Sequence, residues 1–394
     1  MKYAVWFLRL LFAAWMIPAG LNHFVPLFPQ PMGSAPLSME LIIALLDSHL
    51  FDLVKAVELI AGVMVLFGLY TPLALLVCLP VSFGVFYWDA PLEGWNSGAS
   101  TFGYATLLTN SLLCLAYWQS YRDMFALKSQ VAERAQLVMI GRLALGAVLV
   151  LFAGNILFVS DAPAGGQPLA ALLMTSLVNS KLLYVALAMQ FAAGILLLAG
   201  ILVPLALTVQ MAITSNALFW ALFLNQGVPL ALLTLVLFAV NGLLMIAYLP
   251  SYKGVLQQGA LAAGENAGHG YDDLFISAYG RTGRADFMPG MATVLATLFF
   301  YDYFVGGRSV QFSMLVLVYP MYILLIRRFR DMDRNPWWLF GPLLLVLTAY
   351  DVLLLTNYFS LGETGNSVLY WLSGVATAIC IAWGAAVAGK SASA

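Results

Sequence analysis

The chain is 394 residues long, 62% of them hydrophobic and 9% charged, with a net charge of −1. Water-soluble domains are roughly half apolar and about a quarter charged, so this composition excludes an ordinary soluble globule. The near-neutral balance also leaves no basic field to gather nucleic acid.

The apolar residues fall in blocks of about twenty, the length that crosses a hydrocarbon layer roughly 30 Å thick. In chain order the predicted spans are 3–23, 50–69, 71–89 and 101–119, then 137–159, 182–200, 203–223 and 228–249, then 288–304, 309–327, 337–357 and 367–388. The first follows Lys2 as a secretory leader would. The run from Tyr3 to Asn22 is nevertheless long enough to span, and a related segment recurs at Leu137 to Phe158, where no cleavage signal operates. It reads as a retained helix. Gly68 and Gly200 are suited to end one helix, and Pro72 and Pro204 to begin the next, which makes those neighbours antiparallel. With the N-terminus in the cytoplasm, fourteen of the 17 Lys and Arg fall inside and only Lys55, Lys181 and Arg308 outside. That asymmetry sets the orientation and puts both termini in the cytoplasm.

Two stretches repeat. Glu58 to Leu75 aligns without gaps on Gln190 to Leu207 with eight of eighteen positions identical, and Asn110 to Tyr121 aligns on Asn241 to Tyr252 with seven of twelve. The offsets are 132 and 131. Compositional bias would match Leu and Ala, but not Gly, Pro, Asn, Tyr and Ser together, so a duplication is expected. Each unit has four spans, so the copies share one orientation, related by an axis along the membrane normal. The copies differ in polarity: Glu58 faces Gln190, Glu93 faces Asn225 and Asp89 faces Ala221.

Glu58 lies about eight residues into the second predicted span, roughly 12 Å below its end. A charge at that depth costs about 3 kcal/mol and requires compensation. Lys55 and Asp52 precede it at intervals of three, one above the other on a helix face. This ladder reads either as a buried ion pair or as a proton-active carboxylate lining a cavity. His23 closes the first span and His49 opens the second; imidazole and carboxylate together can hydrogen-bond a quinone carbonyl and pass protons, whereas the plainer reading is two interfacial polar residues. A metal site from His23, His49, Asp47 and Glu58 is disfavoured because Glu-x-x-His spacing is absent, so no metal is expected. Asp89, Glu93, Trp95 and Asn96 follow the third span, as a hydrated loop with aromatic anchors or as a lid. Arg327, Arg328, Arg330 and Arg334 with Trp337 and Trp338 read as a topology anchor, or as a site for anionic lipid or a partner. Arg9 and Arg142 lie near span ends, where snorkelling explains them. Cys78, Cys114 and Cys380 each sit in an apolar block, without a Cys-x-x-Cys, as core residues.

Arg9-Leu10-Leu11, Gly20-Leu21-Asn22-His23-Phe24, the block Val57 to Gly62 and the run Gly68 to Leu75 together resemble the DoxX family of bacterial membrane proteins. The resemblance covers about residues 5–122 well and 137–250 more loosely. It implies a multi-pass protein of the bacterial inner membrane. Some members of that family are subunits of quinone-linked oxidoreductases. Further on, Gly280-Arg281-Thr282-Gly283-Arg284 and the run Arg327 to Trp338 resemble the domain of unknown function family 805, four-helix inner-membrane proteins. Arg330 stands where that signature has His, and Asn335-Pro336 where it has Ser-Gly.

The expected fold is an all-α integral membrane protein of about twelve transmembrane helices. It comprises repeat 1 at 1–133, repeat 2 at 134–256, a linker at 257–270 rich in Gly, Ala and Asn, and a C-terminal four-helix module at 271–394. The expected role is an auxiliary or quinone-interacting subunit of a membrane redox complex. Glu58 and His23 form its proton-active pair, and Lys55, Asp52, His49, Trp95 and Asn96 line the site. Its partners are the lipid bilayer and redox subunits, with no nucleic acid. No intrinsic cofactor is expected, since no haem-ligand pair, flavin fold or cysteine pair is evident; quinone is the one ligand implied. A non-catalytic scaffold or assembly factor and a small-molecule transporter are the alternatives.

Overall fold

The computed structural model describes residues 1–128, 136–160, 166–266, 268–305, 310–337 and 362–389. The predicted span 337–357 lies almost wholly outside them, as does Trp338. The described residues are all-helical, without strands. Six helices are long and apolar enough to cross a membrane: Lys2–Phe24, Thr71–Leu92, Gln136–Phe158, Leu182–Ala199, Val203–Asn225 and Val228–Ala247.

The elements in order are α1 (Lys2–Phe24), α2 (Pro36–Asp47), α3 (Leu50–Leu66), α4 (Thr71–Tyr87), α5 (Gly98–Ala116) and the short α6 (Trp118–Tyr121). Then come α7 (Gln136–Phe158), α8 (Pro168–Asn179), α9 (Leu182–Ala199), α10 (Val203–Phe219) and α11 (Val228–Ala247). The last are the short α12 (Tyr271–Phe275), α13 (Arg284–Phe300), α14 (Val310–Asp331) and α15 (Gly362–Ala386). Helices α4, α10 and α13 each run on into a π turn, at Trp88–Leu92, Trp220–Asn225 and Tyr301–Val305. The span pattern does not anticipate α2 and α8. Each is 12 residues, too short to cross a bilayer, and each starts on a proline whose missing N–H is an orphan at a first helical turn anyway.

The first compact unit gathers Met1–Gln30, Glu58–Ala74 and Leu261–Ala394. Its core joins Trp6, Leu10 and Leu66 to Phe275, Phe287, Met291, Leu324 and Phe329. Ser313 Oγ on α14 donates 2.7 Å to Ala14 O on α1. Two polar groups are built into this core. Arg9, 1% exposed, donates from Nη2 to Val65 O and Asp272 Oδ1, each at 3.0 Å, and lies 3.6 Å from the centre of the Tyr271 ring. Arg9 is therefore an internal crosslink rather than a snorkelling cation. Glu265 accepts from Trp6 Nε1 at 2.7 Å and from the backbone N–H of Ala262 and Tyr271.

The second unit gathers Pro31–Val57 and Leu75–Ala260. Within it α7 packs on α9, α9 on α10, α10 on α11 and α11 back on α7, a closed ring of four helices. The α7–α9 contact is close because both faces lack a side chain there. A Cβ at Gly146 would stand 3.0 Å from Gly194 O, and one at Gly194 would stand 3.0 Å from Gly146 O. Helices α2 and α8 lie against each other.

Local features recur at the sequence offset. His49, Gly68 and Tyr70 have positive φ, and so do Lys181, Gly200 and Leu202. Trp88 Nε1 donates to Ser38 O at 2.9 Å, and Trp220 Nε1 donates to Ala170 O at 3.2 Å. Arg9 donates to Val65 O, and Arg142 donates to Leu197 O.

Candidate functional site

Glu93 carries the most explicit polar geometry in the second unit. Its Oε1 accepts from the backbone N–H of Ser34 at 2.8 Å and of Ala35 at 3.2 Å, and from Ser38 Oγ; Oε2 accepts from Ser34 Oγ at 2.5 Å. These donors sit at the start of α2, whose own cap position, Ala35, offers no side-chain acceptor. A helix start leaves N–H groups without partners, and a carboxylate from a distant loop supplies the cap. Gly33 makes room for it: its φ is +83°, and a Cβ there would stand 2.7 Å from Glu93 Oε1 and 2.6 Å from Ser38 Oγ. Asn225 repeats a weaker form, accepting at Oδ1 from Gly166 N–H at 2.8 Å.

Burial alone would raise the Glu93 carboxyl, but the hydrogen bonds from Ser34, Ser38 and Ala35 outweigh it and hold it at about 2, against an ordinary 4.5. The charged form is the bound form. The stabilisation is complete above about 4.5 and is lost as pH falls through about 2. Amide exchange at Ser34 and Ala35 should therefore stay slow from neutral pH down to pH ~3. Glu93→Ala should expose both amides at every pH, at a cost of about 1–3 kcal/mol, and Glu93→Asn should fall between.

Asp89 sits differently from the loop position expected for it. The helix continues through Trp88–Leu92 as a π turn, despite Pro91, and keeps Asp89 inside a candidate span. Asp89 is buried, and its carboxylate makes no hydrogen bond or ion pair among the described residues. Lys55 and Glu93 are the charged groups within electrostatic reach. Lys55 is itself buried, with Nζ 4.9 Å from the centre of the Phe51 ring. A π turn inserts an extra residue into the helical repeat and is often found at functional positions.

The other expected site residues divide. Glu58 is buried on α3, one helical turn beyond Lys55. His23 is half-buried in the last turn of α1, its ring edge-on to Phe24 at 5.1 Å. His49 and Asp52 are brought together, Nδ1 to Oδ2 at 3.1 Å, in an exposed pair. Trp95 and Asn96 are exposed; the Trp95 carbonyl accepts from Tyr104 Oη at 3.2 Å. Among the described residues no group of three or more His, Cys, Asp or Glu is placed to hold a metal ion.

In the first unit the arginines have separate tasks. Arg327 donates from Nε to Thr282 Oγ1 at 2.8 Å and from Nη1 to the carbonyls of Ser277 and Tyr279. Arg328 is fully buried: it pairs with Asp331 and donates to Gly384 O at 2.8 Å and Val387 O at 2.6 Å. Arg330 donates to Ala278 O. Arg334 is exposed, and Trp337 is 67% exposed.

No protein-family model, curated protein or solved structure matches the chain.

Proposed function

We propose that this chain is a DoxX-like auxiliary subunit of a membrane redox complex, handling protons at a quinone site in the first of two duplicated four-helix halves. The observation that carries this reading is Asp89, a buried acid within a candidate span, with no hydrogen bond from the described residues and with Lys55 in electrostatic reach. A buried acid is costly unless it is used or compensated. Its counterpart at the offset is Ala221, and that of Glu58 is Gln190, so the second half has shed both acids.

The proposed duplication draws support from the recurring positive-φ positions, π turns and tryptophan and arginine hydrogen bonds. In this reading about twelve helices span a bacterial inner membrane, as two parallel repeats and a C-terminal four-helix module, with both termini cytoplasmic. A quinone carbonyl accepts hydrogen bonds, and a neutral carboxyl or an ammonium donates them, so Asp89 and Lys55 are of the right chemistry. A bound quinone supplies two-electron, two-proton chemistry. Asp89 holds a proton next to the ligand and Lys55 orients a carbonyl by its charge; Glu58 and His23 are the proton-active pair expected from the sequence.

The test is purification from native membranes in mild detergent, followed by solvent extraction and identification of co-purifying proteins. Quinone at a level approaching one per chain, with redox subunits, is expected. A monodisperse preparation with neither would count against the reading.

A further inference from the structure

The end of α14 and the loop before α13 form a shallow open groove lined by Gly280, Arg281, Arg330, Asp333, Arg334 and Asn335. Three guanidinium groups there face one carboxylate. Arg281 Nη2 and Asp333 Oδ1 pair at 3.2 Å, both partly exposed. That pair neutralises one arginine and leaves two in excess. Arg330 is anchored by one bond to the Ala278 carbonyl, which fixes its direction. Arg334 projects to the surface, and its guanidinium makes no hydrogen bond or ion pair among the described residues. Two large aromatic side chains flank the groove in sequence, Tyr279 at 84% exposed and Trp337 at 67%.

The flanking arginines do not belong to this surface. Arg327 and Arg328 are saturated by carbonyls, Thr282 and Asp331. The basic run of the sequence thus separates into an internal pair and an external set. Guanidinium groups bind phosphate oxygens through paired N–H donors. Exposed Trp and Tyr seat themselves at the headgroup level of a bilayer. A cationic groove beside such anchors, at the end of an apolar helix, has the makeup of a lipid headgroup site.

We propose that the groove lined by Arg281, Arg330 and Arg334 binds the phosphate of an anionic phospholipid headgroup. The assignment does not depend on the redox reading. The test is native mass spectrometry of the full chain from nanodiscs holding equal phosphatidylglycerol and phosphatidylcholine. The expected result is preferential retention of phosphatidylglycerol, reduced roughly fivefold for each arginine lost in Arg334→Gln and in Arg281→Gln/Arg334→Gln. Arg334→Lys should keep most of the preference, which separates charge from damage to the fold. Millimolar inorganic phosphate should leave the lipid bound, because the acyl chains add affinity that a free anion lacks. Equal retention of the two lipids, an unchanged preference in both glutamine variants, or displacement by inorganic phosphate would each overturn the proposal.

Discussion

Arg328→Met should destabilise the protein by about 3–5 kcal/mol, the scale found when one partner of a buried ion pair is removed. Arg328 and Asp331 are each 0% exposed, so the variant removes a guanidinium from beside a carboxylate that water does not reach. Two further acceptors lose their donor. Gly384 O and Val387 O lie at the C-terminal end of α15, where the last carbonyls of a helix have no intrahelical partner. The guanidinium also complements the negative end of that helix dipole. Arg328 therefore does two jobs, pairing with Asp331 on its own helix and capping α15, and the second fastens α14 to α15. Asp331→Leu alone should cost a similar amount. The double variant Arg328→Met/Asp331→Leu should recover most of the loss, because an apolar pair replaces a desolvated one. The measurement is thermal unfolding of purified protein in detergent, with the yield of monodisperse material as the companion readout. Additive losses in the double variant would show that the two side chains act separately.

The same residues show what a sequence reading reaches and what it misses. Apolar blocks and their glycine and proline punctuation placed α1, α3, α4, α5, α7, α9, α10 and α11 to within a few residues, because burial in lipid leaves a strong and continuous pattern. The short helices α2 and α8 escaped, since a pattern tuned to spanning length passes over 12 residues. The π turn at Trp88–Leu92 was also invisible. It differs from an ordinary helix in hydrogen-bond register, not in composition. That is why Asp89 was expected in a loop. Glu93 was visible as a polar residue, but its task was not, because Ser34, Ala35 and Ser38 lie 55 to 59 positions away. Arg9 looked like a snorkelling cation for the same reason: Asp272 is 263 positions distant. Arg328 and Asp331, by contrast, stand at i and i+3 on one helix, and that pairing was there to be read within the basic run.

The largest functional effect should come from two buried acids, Asp89 and Glu58. Asp89→Ala and Glu58→Gln each install the residue found at the offset position, Ala221 or Gln190. Both are the residues that occur at the offset positions, so protein abundance should hold. Losing a neutral carboxyl's hydrogen bond to a quinone carbonyl is worth about 0.5–1.5 kcal/mol, or roughly 2–12-fold in affinity. If the chain acts in a redox complex as proposed, loss of a positioned proton donor should lower turnover of that complex by roughly 100-fold or more. The most direct measurement is infrared difference spectroscopy of the purified chain, with labelled Asp and Glu, on adding a short-chain quinone. A carboxyl band that responds to quinone, that vanishes in Asp89→Ala and that weakens in Glu58→Gln at unchanged protein yield is the predicted result. A spectrum with no carboxyl response in the wild-type protein, or one identical in all three proteins, would contradict it.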